Sequence, residues 1–252
     1  MPSFHQNKNK VFITAFIYTL IVVFIIIGNY LSVFFITTSS NIADIKSNGF
    51  QLYMLSLSKS KIKKESSSIA KDFQSIGAGG FIWKYEDYYH NISSAYSNKN
   101  DAILVQNSIK NNKNIDSEIL TITFNPITLT GSFDNNENKI ISSSLNSFYT
   151  FYTNIYDIAI SLDTSLYDEH YAHLEVNHTH NNLLTTITDF ETYYKNNLVG
   201  NLKIIDKYLQ QALSISKSLC DEKYINKTQT YSSLLKYKYL EMLSLYETIS
   251  LK

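Results

Sequence analysis

The sequence predicts a mainly α protein: a single N-terminal transmembrane helix, then a stalk helix, then a helical bundle with a small β-hairpin insertion. Three observations carry that reading. Gly and Pro are scarce, 7 and 2 in 252 residues, which favours long helices over a turn-rich sandwich or barrel. One uncharged apolar stretch near the N-terminus matches the thickness of a membrane. Most of the C-terminal half spaces its apolar residues at three and four, the helical interval.

Residues 1–10 read as a short cytoplasmic tail and 11–36 as the anchor. Val11 to Gly28 is eighteen residues without a charge. At ~1.5 Å per residue it spans about 27 Å, against about 30 Å of hydrocarbon. The run resumes after Tyr30 and continues to Ile36. It is longer than the apolar core of a cleaved secretory signal. Lys8 and Lys10 precede it, and Lys46 alone falls in the twenty residues after it. That asymmetry predicts a single-pass membrane protein with its N-terminus cytoplasmic and its C-terminal domain extracytoplasmic. The lipid bilayer is then an expected partner.

Residues 37–76 read as a juxtamembrane stalk helix. Ile42, Ile45, Gly49, Leu52, Leu55, Ile62, Ile69, Phe73 and Ile76 fall on a mixed three-and-four spacing around a Lys/Ser-rich middle. Gly77-Ala-Gly-Gly80 breaks the stalk, and 77–252 follow as a mainly helical extracytoplasmic domain. Asp101 is placed to cap a short helix over 101–110. Within 118–133, Leu120, Ile122 and Phe124, then Ile127, Leu129 and Phe133, alternate with polar residues around Asn125-Pro126. That pattern predicts a two-strand hairpin.

Three helical stripes follow. Leu145, Phe148, Tyr152, Ile155, Ala159 and Leu162 form the first; a second runs with little interruption from Leu183 to Leu219. Tyr231, Leu235, Tyr239, Met242, Tyr246 and Ile249 form the third. Each must be buried against another helix. The core should therefore be rich in Tyr and Phe, with Tyr hydroxyls at helix edges facing water.

Charge is balanced, with 22 basic and 22 acidic residues, and every basic residue is Lys. Balance argues against a broad nucleic-acid footprint, and the lack of Arg removes the bidentate fork for phosphate and guanine. The single cysteine, Cys220, allows no intramolecular disulfide and no CxxC pair. No GxSxG, HExxH, P-loop, GxGxxG or EF-hand loop occurs. The chain is therefore not expected to be an enzyme, and an anchored enzyme is kept only as a residual reading.

Two constellations remain. His170, His173, His178 and His180 place four of the six histidines within eleven residues. Imidazoles at that density suit a divalent transition metal such as zinc, copper or nickel, although the spacing matches no established metal motif and water-facing histidines are the simpler reading. The aromatic run Trp83, Tyr85 and Tyr88 offers faces for stacking a sugar or peptide; packing over a core edge is the commoner fate. The layout is similar in outline to inner-membrane assembly subunits of bacterial pilus and secretion machines, without a shared motif. The expected function is a membrane-anchored interaction or scaffold protein, with a protein partner or a homo-oligomer and no nucleic acid. The alternative is an extracytoplasmic ligand- or metal-binding sensory module.

Overall fold

A computed structural model describes residues 42–195, 198, 200–221 and 228–250. The tail and anchor expected over 1–36 lie outside the described residues. Among the described residues no helix is long and apolar enough to cross a membrane. The single-pass topology and the localisation built on it are therefore corrected: no helix among the described residues supports them.

The fold class is corrected too. The protein is mixed α/β, with two antiparallel sheets beside the helices. In chain order the elements are β1 (Ile42–Lys46), β2 (Phe50–Ser60), α1 (Lys63–Ser75), β3 (Phe81–Tyr85), β4 (Tyr88–Tyr96), α2 (Lys99–Lys113), β5 (Glu118–Phe124), β6 (Thr128–Ser132), α3 (Asn135–Asp163), α4 (Glu169–Tyr194), α5 (Gly200–Lys217) and α6 (Thr228–Ser250). One sheet has four strands in the order β3-β4-β2-β5; the other pairs β1 with β6. The described residues from Asp44 onward form one compact unit.

The expected stalk helix over 37–76 gives way to strands before Lys63. β2 sits between β4 and β5 and is buried on both faces. Leu52 and Met54 join the main core with Ile92 and Phe124, while Leu55 and Leu57 join a second cluster with Tyr96 and Ala102. Tyr53 packs against that second cluster as well, so even and odd positions face opposite ways, the ordinary alternation of a strand. Register against β4 is irregular at Leu55/Ser56 and Ser56/Ser58. A strand covered on both faces loses its period of two, and the remaining spacing resembles a helix.

Strands do occur over 118–133, but they do not pair with each other: β5 pairs with β2 and β6 with β1. The loop between them is pinned from elsewhere. The Ile127 amide donates to Ser47 Oγ at 2.8 Å, and the Tyr246 hydroxyl lies 2.7 Å from that Oγ and 3.1 Å from the Asn125 carbonyl. Gly49 is required here, because a Cβ would come within 2.9 Å of Pro126 Cδ. The cap of α2 is Asn98, whose side chain accepts from the Asn100 amide; Asp101 lies in the first turn.

The stripes on α3 and α6 are buried as spaced, Leu145 to Leu162 and Tyr231 to Ile249. The long middle stripe is cut between α4 and α5, where Gly200 takes a left-handed φ of 53°. Helices and main sheet share one core around Trp83, Phe124, Phe148 and Tyr246. Its Tyr hydroxyls do not face water. Tyr239 Oη lies 2.6 Å from Ser94 Oγ and accepts from the Ala95 amide at 3.2 Å, while Tyr152 donates to the Ala95 carbonyl at 3.3 Å. The sheet's own polar groups serve as partners, which keeps desolvation of these hydroxyls from becoming a penalty.

Candidate functional site

The four histidines of the sequence all fall on α4, which Asp168 caps by accepting from the Tyr171 amide at 2.7 Å. A helix disperses them. His173 is buried, with Nδ1 3.4 Å from the Tyr231 hydroxyl; His180 places Nδ1 2.7 Å from Ser216 Oγ. His170 and His178 face water. They stand eight residues apart, about 12 Å along the axis, and His178 and His180 point about 200° apart. Among the described residues no group of three or more His, Cys, Asp or Glu could hold a metal ion. The expected metal site is therefore corrected: the structure does not bring its ligands together.

Trp83 is corrected as a stacking platform. It is 3% exposed and packs edge-on against Phe124 at 6.1 Å. Tyr85 and Tyr88 are half-buried and instead bracket His90, at 6.1 and 6.3 Å between ring centroids. Lys59 and Lys61 lie over the Tyr88 ring at 5.3 and 5.6 Å, a cation–π arrangement that occupies the face a ligand would need.

Sequence reasoning missed what His90 does. It is buried on β4, with Nδ1 3.1 Å from Ser56 Oγ and 3.2 Å from Glu118 Oε1; Lys59 holds the other oxygen of Glu118 at 3.0 Å. Burial pushes the imidazole below its ordinary pKa, and Glu118 opposes that push. A nucleophilic relay needs the hydroxyl on one ring nitrogen and the acid on the other. Here both converge on Nδ1, so the node ties three strands together and is not arranged to activate Ser56.

A second polar node fixes the Gly77–Gly80 loop. Lys236 donates to Asp163 Oδ2 at 2.5 Å and to the Gly77 carbonyl at 2.8 Å; Ser233 donates to the Ala78 carbonyl. Beside this node α1, α5 and α6 enclose an open cleft of about 900 Å³. Its polar lining includes Lys71, Lys217 and Lys238, Gln74, Asp221 and several serines.

The α3–α4 hairpin differs in charge from the rest of the chain. From Ile140 to Tyr194 there are seven Asp or Glu and no Lys, although the chain as a whole is neutral. At its tip Leu166 is 73% exposed, Leu174 63% and Tyr171 47%, with His170 and His178 beside Leu174 on the same face. Exposed large apolar side chains so close together mark a contact surface more often than isolated ones do.

No protein-family model matches the sequence, and no curated protein matches it. Among solved structures, the solution structure of the peptidoglycan binding domain of B. subtilis cell wall lytic enzyme CwlC is similar at 21% identity and a TM-score of 0.25, over 29% of this chain and 90% of that one.

Proposed function

We propose that this chain is an interaction subunit that assembles with further copies of itself through the α3–α4 hairpin. The observation that carries the reading is the exposed Leu166–Tyr171–Leu174 patch on a lysine-free acidic hairpin. A complementary face exists on the same chain. Ile62, Ile69 and Ile76, seven residues apart along α1 and its flanks, are each at least 38% exposed. Between Lys59 and Lys71 there are five Lys and one acid, Glu65. An apolar patch in an acidic field and an apolar stripe in a basic one favour each other over like faces. The contact is heterologous, so it propagates into chains or closes into rings.

Sedimentation across a range of protein concentrations tests the reading. The full chain is expected to form species larger than dimers at roughly 0.05 M salt and to dissociate toward monomer near 0.5 M, because exposed charge pairs are screened. Leu174→Asp removes apolar area and adds like charge, and should leave a monomer with an unchanged far-UV spectrum. A wild-type chain that stays monomeric at every concentration at low salt sinks the proposal.

A further inference from the structure

We propose that the cleft between α1, α5 and α6 binds an acidic saccharide, meaning a sugar that carries a carboxylate or phosphate. This site borders the basic α1 face of the proposed assembly and shares Lys71 with it, but it does not rest on that reading. Three ammonium groups from three different helices, Lys71, Lys217 and Lys238, line one cavity that holds a single carboxylate, Asp221. Lys217 sits in the last turn of α5, where a cation also complements the carbonyl end of the helix. Lys71 and Lys238 are not in a last turn, so helix-end electrostatics does not explain why they meet Lys217. Glu241 accounts for Lys238, at 2.8 Å.

The other polar groups define what else the ligand must carry. Ser75 donates its hydroxyl proton to the Asp72 carbonyl, Ser218 to Ile215 and Ser233 to Ala78. Gln74 spends an amide proton on the Gly79 carbonyl. With their protons committed, these three hydroxyl oxygens and the Gln74 carbonyl present acceptor lone pairs to the cleft. A bare anion brings no donors for these acceptors. A sugar supplies several O–H donors, and its acidic group meets the ammonium groups. The cleft volume of about 900 Å³ accommodates one or more sugar rings.

Titration calorimetry of the full chain with D-glucuronate, D-glucose 6-phosphate and D-glucose tests the assignment. At least one acidic sugar should bind saturably and about tenfold more tightly than glucose; which one does identifies the acidic group. The Lys71→Gln/Lys217→Gln variant should lose about tenfold of that affinity with its melting temperature unchanged, since both side chains are exposed. The proposal is overturned if neither acidic sugar binds, if glucose binds equally well, or if the double variant retains full affinity.

Discussion

Lys236 lies almost wholly inside the fold, its side chain 9% exposed against 36% for its partner Asp163. Removing the ammonium would leave Asp163 Oδ2 and the Gly77 carbonyl without that donor, with only Ser232 still donating to Asp163 Oδ1. Breaking such a pair is costlier than never having had it. Lys236→Met should cost about 3 kcal/mol and lower the melting temperature by roughly 8 °C; adding Asp163→Asn should restore part of the loss. Tyr239→Phe strips the Ala95 amide and Ser94 of a buried partner and should cost about 1–3 kcal/mol by denaturant unfolding. His90 gives a pH dependence whose sign is fixed. Its folded pKa is depressed below the ordinary 6.5, so below about 6.5 the unfolded chain binds more protons than the folded one. The contribution is complete above that pH and is lost as pH falls through 6.5 toward the folded value. His180 is depressed as well, by burial and then by Lys217. Asp157 and Glu247 act in the opposite direction, because burial holds their carboxyls up. The readout is therefore a difference: melts from pH 7.5 to 5 should show a shallower decline in His90→Gln than in wild type, and equal slopes would remove His90 from the account.

At the scale of elements, legibility followed solvent. Helix α3 exposes one face and α6 keeps one half-buried polar side, so their apolar stripes survived in the sequence as a period near 3.6 and could be read residue by residue. β2 packs a different apolar cluster on each face, so its apolar residues fall at both even and odd positions and leave no clean alternation to mark a strand. β5 and β6 were legible as strands because polar residues alternate along them, but their partners, β2 and β1, lie far back in the chain. Pairing is a tertiary choice that the Asn125-Pro126 turn did not decide. The histidines failed for a related reason. Four imidazoles in eleven residues look convergent in one dimension, and the helix spreads them around its axis. The glycine-rich segment 77–80 separates α1 from β3, and its geometry yields a prediction. Gly80 has a φ of +64°, and a Cβ there would come within 2.6 Å of the Ala70 carbonyl. Gly80→Ala should therefore destabilise by about 2 kcal/mol through backbone strain and clash together, and a neutral result in a thermal melt would mean that the α1–β3 junction relaxes freely.

For the molecule as a whole, the composition hid what the chain order shows. A formal charge of zero suggests no electrostatic personality, yet the α3–α4 hairpin holds seven acids and no Lys while Lys59 to Lys71 holds five Lys and one acid. Neither segment had a structural address until the helices were placed, which is why the cleft and the acidic patch were invisible to motif reading. The same integration governs unfolding. The main core mixes residues of the four-stranded sheet, Leu52, Trp83, Ile92 and Phe124, with residues of α3 and α6 such as Phe148, Tyr239 and Tyr246. Trp83 is the only tryptophan and lies in β3 against Phe124, so its fluorescence reports the sheet, whereas circular dichroism at helical wavelengths reports mainly the α elements. If sheet and helices share one core, neither can lose its packing while the other persists, and the two signals should trace one denaturant transition with the same midpoint. Met242→Ala, a truncation at a fully buried position of α6, should shift both midpoints together at a cost of about 2–5 kcal/mol. If the tryptophan signal moved separately from the helical one, the sheet would be an independently folding layer, and the shared core inferred from these contacts would be wrong.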